Sequence, residues 1–439
     1  MRKIIALFAT IFLLINTPAL SYADKKLDIS AEAAILIDAK TGKILYEKNA
    51  NKPMFPASTT KIMTAILALE YGNLDDTVVI DDKTPYEISG SHIALEPGEM
   101  ITLKDLLYAL LIESANDAAT TIAKYISGST ENFAELMNKK AKEIGAKNTH
   151  FTNPHGLPDK NHTTTAYDLA MMAKYAMQND TFRNIVKNYK YTIPPTNKKD
   201  EPRYLKSANR LLYGTGPGNK IVVDGKTVNI KYDGADGIKT GYTYAAQQCL
   251  VATAKRGDLR LISVVLKAKG TNVYVDTHKL LNYGFNNFTT KQLSFKNEFI
   301  KNIDVIKGDK PFVTGIINKS VFSIIPVGRE NDIEKNIILP DKITAPITKD
   351  QVIGRIEYKL DGEVIATANI VSAMEINQKG IIRVVETTNG KSLFKKWWFW
   401  FIVLFIIWRI FIGYRRYKRT KRRRLRREIT FSYNNRYKY

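Results

Sequence analysis

Along the chain, apolar and polar positions alternate first in a mixed helix-and-strand pattern, then in a strand-only pattern, and finally merge into one apolar run. Residues 33–50, AAILIDAKTGKILYEKNA, alternate on both sides of DAKTGK and predict a β-hairpin. From Ser58 to Glu70 the apolar residues Ile62, Ala65, Ile66 and Leu69 recur at helical spacing. Residues 102–126, TLKDLLYALLIESANDAATTIAKYI, are too apolar for a surface helix and predict a buried one. Residues 130–145 predict an amphipathic helix and 167–178 another. The stretch 190–235, rich in Pro, Gly, Asn and Lys, predicts loops with short strands. A strand is expected at DGIKTGYT, 236–243, then a hairpin turning at KRGD, then a helix around 276–285. From about 290 to 385 short alternating runs predict a β-rich module, with an Asp-Gly hairpin turn at LDGE.

Both ends of the chain depart from this pattern. Arg2 and Lys3 precede the apolar IIALFATIFLLI, and small residues at Ser21 and Ala23 follow, which reads as a secretory leader, residues 1–23. Near the other end WWFWFIVLFIIWRIFIGY, Trp397–Tyr414, is apolar at every position except Arg409. Eighteen residues rise about 27 Å as a helix, enough for a bilayer core. Arg409 lies about one turn from the basic end and can snorkel to the interface. Ten lysines and arginines follow between Arg415 and Arg427, and positive residues stay on the cytoplasmic side of a span. The expectation is a single-pass anchor in the cell membrane, held by membrane lipid, with an extracytoplasmic body and a basic cytoplasmic tail, 415–439. A helix lying in the membrane plane is the alternative.

The net charge of +23 suggests nucleic acid until its distribution is examined. Past residue 390 there are sixteen lysines and arginines against one acidic residue, Glu428, so +15 of the +23 sits at the anchor and tail. The remaining +8 is ordinary for a soluble domain, and no nucleic-acid partner is expected. One cysteine, Cys249, excludes an internal disulfide, so exported domains would rest on their cores. The five histidines, His92, His150, His155, His162 and His278, show no ligand spacing, so no metal and no cofactor are expected.

Three short motifs carry candidate chemistry. In PASTTK, Ser58 and Lys61 stand one helical turn apart, close enough for an ammonium to reach the hydroxyl. A serine needs a base to take its proton, and a lysine serves only if burial or a second cation lowers its pKa. Alone the motif is a common accident, since Ser after Pro-Ala before a helix is ordinarily a cap. Ser114 and Asn116 lie in the apolar surround of IESANDAA, where a polar kink between core helices reads as well as a site. Lys239-Thr240-Gly241, followed by Tyr242 and Thr243, offers a cation, a hydroxyl and a glycine open to close approach, suited to a carboxylate-bearing ligand.

The conjunction of S-x-x-K, S-x-N and K-T-G is the motif set of penicillin-binding proteins and class A β-lactamases. From about residue 30 to 385 the chain resembles the low-molecular-mass penicillin-binding proteins that act as D-alanyl-D-alanine carboxypeptidases. FTNPHGLPDKNHTTTAYDLA, 151–170, looks like the family's stretch between the second and third motifs. GADGIKTGYTYAAQQCLVATAKRGDLRLISVVLKA resembles its third-motif strand and the hairpin after it. The resemblance implies that Ser58 attacks the carbonyl of the penultimate D-alanine with Lys61 as general base. Ser114 and Asn116 would pass the proton to the leaving amine and hold the substrate amide. Lys239 and Thr240 would meet the terminal carboxylate, and the N–H groups of Ser58 and Tyr242 would form the oxyanion hole. The partners so implied are peptidoglycan stem peptides ending in D-Ala-D-Ala, with β-lactams as inhibitors. Tyr242 stands where the family often has histidine, and Gln247 where glycine is usual. The arginine usual before the LLNYGF helix is missing, leaving Lys267 or Lys269 to stand in.

The fold class expected is α+β: a penicillin-binding-protein/β-lactamase-like catalytic domain, an antiparallel sheet flanked by helices, over 24–288. A small all-β domain over 289–386, a linker over 387–396 and a C-terminal transmembrane helix over 397–414 would follow. A β-lactamase is the nearest enzymatic rival; S-A-N in place of S-D-N and the lack of a Glu-x-x-Leu-Asn motif stand against it. The rival from another class is a non-catalytic penicillin- or cell-wall-binding protein.

Overall fold

In strand β1, Ala33–Asp38, every residue is buried, because both faces of its sheet are covered. Ala33, Ile35 and Ile37 enter one apolar cluster, and Ala34 and Leu36 enter another. Each neighbour flips to the opposite face of the pleat, so one alternating run feeds two cores. This computed structural model describes residues 27–379 and 397–434. The expected leader, 1–23, and linker, 387–396, lie outside the described residues.

β1 pairs with β2, Ile44–Lys48, across the expected hairpin. The other three strands are β3, Ala235–Thr243, β4, Gln247–Arg256, and β5, Leu259–Ala268. All pairings are antiparallel and the order is β2-β1-β5-β4-β3, which leaves β3, the K-T-G strand, on an edge. An edge strand keeps unpaired N–H and C=O groups that a ligand can meet.

One face of the sheet carries α1, Lys61–Tyr71, whose first eight residues are all buried. The expected buried helix at 102–126 is two helices, α2, Leu103–Tyr108, and α3, Asn116–Ser127. Between them the backbone widens into a π-helical turn at Ala109–Glu113, and Ser114 takes a left-handed φ of 65°. Both flanking helices are buried, so the apolar pattern runs through the break and conceals it. The break delivers Ser114 and Asn116 to the same edge of the core. α4, Thr130–Glu143, α5, Ala166–Ala176, and α6, Asp180–Val186, complete this side. α7, Asn272–Asn287, covers the opposite face, with Leu280 and Leu281 in the second cluster.

After α7 the described residues up to Ser372 form strands, as the alternation predicts. Asp361 and Gly362 both have positive φ, 53° and 79°, so LDGE makes the tight turn expected of Asp-Gly. Strand Phe299–Ile306, which the alternating runs did not single out, pairs in parallel with Lys342–Thr344. No local turn signals such a pairing. By its contacts the chain divides into two compact units. The first holds the described residues up to Phe295 with Ser320–Asn336 and Glu357–Thr367. The second holds Lys296–Lys319, Ile337–Ile356 and the described residues from Ala368 on. The apolar run lies in one helix, α8, Trp397–Asn434, of which Trp397–Arg423 is long and apolar enough to cross a membrane.

Candidate active site

Ser58 does not sit on an ordinary helix start. It belongs to a 3₁₀ turn, Ala57–Thr60, that leads into α1, and Ala57 holds a left-handed φ of 49°. Gly156 supports that turn from below, where a Cβ would lie 1.8 Å from the Ala57 carbonyl oxygen. Gly241 on β3 presses from the side, where a Cβ would lie 2.9 Å from the Ser58 nitrogen and 3.1 Å from the Pro56 oxygen. Neither glycine leaves room for another residue, and together they fix where Ser58 points.

Lys61, one turn on, is wholly buried. Its Nζ lies 3.0 Å from Ser58 Oγ, 2.6 Å from Asn116 Oδ1 and 2.9 Å from the His155 carbonyl oxygen. The orientation of Asn116 is set by its other end, since Nδ2 donates to the Ser89 carbonyl at 2.6 Å. Two of the three partners of Nζ therefore only accept. A neutral amine has two hydrogens for these acceptors and one lone pair, which then faces the Ser58 hydroxyl. An ammonium satisfies all three as acceptors. Moving one proton from Oγ to Nζ thus converts one satisfied arrangement into the other.

Burial drives the Lys61 pKa well below its ordinary value, and the nearby Lys239 cation pushes it the same way. Asp117 opposes them. Lys239 is 2% exposed, and burial lowers its pKa to about 7, against the pull of Glu113. Its Nζ donates to the Thr240 carbonyl at 3.1 Å. Lys61 is thus buried in the field of a second buried lysine, the condition under which an amine is held neutral.

The remaining motif residues fall into two groups. Ser114 is 8% exposed, and its hydroxyl makes no hydrogen bond among the described residues. On the edge strand β3, Thr240 is half-buried, Gly241 is buried against the Ser58 turn, and Tyr242 is largely exposed. Thr243 Oγ1 accepts the Ala246 N–H at 3.0 Å, which closes the β3–β4 turn. Lys267 does not stand free for a carboxylate. It pairs with Glu32 at 2.7 Å, as Lys52 does.

Several contributors escaped the motifs. The carbonyls of His155 and Ser89, and the glycine at 156, act through backbone. His162 Nδ1 accepts the Thr152 N–H at 3.0 Å, so its Nε2 carries the proton and donates to Thr60 Oγ1 at 2.9 Å. Burial lowers the His162 pKa to about 4, consistent with a neutral ring that fastens the 151–162 loop to the Ser58 turn. Asn-Pro and His-Gly in NPHGL mark a turn in the sequence, but no pattern tells which carbonyl it presents.

A family model described as D-alanyl-D-alanine carboxypeptidase matches residues 20–270. The chain belongs to that family. A second model, the penicillin-binding protein 5 C-terminal domain, matches residues 288–378. Among curated relatives, the D-alanyl-D-alanine carboxypeptidase DacF of Bacillus subtilis is 37% identical over 369 residues, 82% of this chain and 89% of the relative. DacC of Escherichia coli is 32% identical over 426 residues, 90% and 94% of the two chains. Among solved structures, penicillin binding protein 5 of Haemophilus influenzae superposes with a TM-score of 0.69 at 31% identity, covering 80% of this chain and 98% of its own.

Proposed function

We propose that this carboxypeptidase removes the terminal D-alanine from peptidoglycan stem pentapeptides through an acyl-enzyme on Ser58. The observation that carries the reading is the three-partner setting of Lys61 Nζ, in which a lone pair faces the Ser58 hydroxyl. Lys61 takes the Oγ proton as Oγ adds to the carbonyl of the penultimate D-alanine. The N–H groups of Ser58 and Tyr242 receive the oxyanion, and the close seat of Gly241 against the Ser58 nitrogen supports that pairing. The proton passes by way of Ser114 to the amine of the departing D-alanine as the C–N bond breaks. Asn116 holds Lys61 and the substrate amide. Water, deprotonated by the same base, then cleaves the ester and restores Ser58.

Lys239 and Thr240 meet the terminal carboxylate, and Gly241, Tyr242 and Thr243 extend the strand along which the peptide lies. An approaching carboxylate favours the charged form of Lys239, so substrate strengthens its own clamp. β-Lactams acylate the same serine. The leader is removed after Ala23, the body over 24–386 stands outside, Trp397–Tyr414 spans the bilayer and the tail faces anionic lipid on the cytoplasmic side. The missing family arginine favours one second reading, a protein that is acylated but turns over slowly. The test is covalent labelling of the full chain by a fluorescent penicillin. Ser58→Ala should abolish labelling while Tm stays within a few degrees; undiminished labelling would remove Ser58 as the nucleophile.

A further inference from the structure

The 151–162 loop reaches Lys61 Nζ through one carbonyl, that of His155. The oxygen of that carbonyl shares a rigid peptide plane with the Gly156 N–H, and Asn153 Oδ1 accepts this N–H at 2.7 Å. The same Oδ1 accepts the His155 N–H at 3.3 Å, and Asn153 Nδ2 donates to the Leu157 carbonyl at 3.1 Å. These bonds shape an Asx turn without attaching it to α1.

Attachment comes from two buried contacts that flank Lys61 in the chain. Thr64 Oγ1 donates to the Pro154 carbonyl at 2.5 Å, and Thr60 Oγ1 accepts the His162 Nε2–H at 2.9 Å. Thr60, Thr64 and His162 are all buried. Residues three apart on a helix share a face, so Lys61 and Thr64 meet two successive carbonyls, those of His155 and Pro154. Between the pinned carbonyl and the one that serves Lys61 only the two backbone dihedrals of His155 remain. His162 is held in turn. Its ring centroid lies 5.4 Å from that of Phe151. Just beyond it, Thr164 exchanges backbone hydrogen bonds with Met54, at 2.7 and 2.9 Å. The loop is thus fastened at both ends of the segment 54–64, which carries Ser58 and Lys61.

We infer that Thr64 and His162 are positioning residues of the reaction, which hold the His155 carbonyl on Lys61 Nζ and so keep the lone pair of the amine on the Ser58 hydroxyl. The role rests on Lys61 as the general base and adds to it two residues outside the three motifs. If the carbonyl withdraws, a hydrogen of the amine loses its acceptor and the lone pair is free to turn away from Ser58. A carbonyl acceptor also favours an ammonium over an amine, so its withdrawal makes Lys61 harder to protonate. The charges that face Lys61 are Lys239 from β3 and Asp117 from α3, with the His155 ring from the loop; Asp159 and His150 face His162. A change at Thr64 removes none of them.

The test is the pH dependence of acylation of the full chain in detergent by a fluorescent penicillin. Thr64→Val keeps the shape of the side chain and removes its donor. The limiting acylation rate should fall about tenfold or more, as for a displaced base. The acid limb of the profile should move down by about one pH unit, while the half-saturating penicillin concentration stays as in the wild type. Thr64→Ser, which keeps the hydroxyl, should restore both rate and limb. His162→Gln, whose amide can both accept and donate, should lie nearer the wild type than His162→Phe, an independent pair at the other contact. Labelling of every chain at long times shows that a variant is folded. An acid limb that stays in place in Thr64→Val and His162→Phe, whatever the change in Tm, makes both contacts merely structural and overturns the positioning role, while Lys61 remains the base. A wild-type profile with no acid limb removes Lys61 as the base and the positioning role with it.

Discussion

Gly241→Ala tests the packing of the K-T-G strand against the nucleophile turn. The added methyl would sit 2.9 Å from the Ser58 nitrogen, 3.1 Å from Ala57 Cβ and 3.1 Å from the Pro56 oxygen. Ordinary carbon contacts begin near 3.4 Å, so strand and turn must part by about half an ångström. All three neighbours belong to one turn braced from below by Gly156, and none is a side chain that can swing away. Overpacking of this kind costs about 1–3 kcal/mol. For a domain of this size each kcal/mol lowers Tm by about 2–4 °C. The larger effect falls on chemistry, because the displaced atom is the proposed oxyanion donor. Losing one such donor costs about 10²–10³ in rate. The second-order rate constant for acylation by a fluorescent penicillin should therefore fall about a hundredfold. Gly257→Ala is the control, at a hairpin tip with nothing within 4 Å of the added methyl. It should leave acylation within twofold. A Gly241→Ala rate within threefold of wild type would refute the argument.

Two other outcomes follow from the buried charges. For a peptide with a free carboxylate, kcat/KM should decline on the alkaline side near pH 7 as Lys239 loses its proton, and on the acid side as Lys61 gains one. A substrate whose terminal carboxylate is amidated should keep the acid limb and lose the alkaline one; identical profiles would remove Lys239 from the clamp. Burial alone would raise the Glu99 carboxyl, yet hydrogen bonds from Arg203, Thr196 and the Glu96 N–H hold it below its usual range. Its folded pKa is thus depressed, and the stability it contributes is present above the unfolded value and lost as pH falls through the folded one. Glu99→Gln leaves the Arg203 cation buried without its counter-charge and should cost about 3–5 kcal/mol. Urea unfolding at neutral pH measures this, and a loss under 1 kcal/mol would contradict the clamp.

The sheet was legible because β1 and the β4–β5 hairpin are short, nearly continuous apolar runs, and because KRGD and DAKTGK punctuate them. The β-rich end was legible by its short alternating runs, apart from strands such as Phe299–Ile306 that find partners far along the chain. The break in 102–126 was hidden, since burial on both sides of it erases the polar stripe that marks a helix face. At the site, Ser58, Lys61, Ser114, Asn116 and Lys239 announce themselves by side-chain chemistry, and the structure brings Ser58, Lys61 and Asn116 into direct contact. The His155 and Ser89 carbonyls carry no such mark, because every residue has one. Arg203 and Glu99 meet across 104 residues, and neither type advertises a buried partner. Lys267 shows the opposite failure: its place in the sequence suited a carboxylate, but Glu32 lies closer.

Free D-alanine released from diacetyl-Lys-D-Ala-D-Ala by the full chain in detergent, assayed beside Ser58→Ala, decides whether Ser58 carries the carboxypeptidase reaction. Release by the wild type and none above background by the variant is the expected result. Penicillin bound covalently at Ser58 with no D-alanine released by the wild type would contradict it, and would leave an acylated protein that does not turn over this peptide.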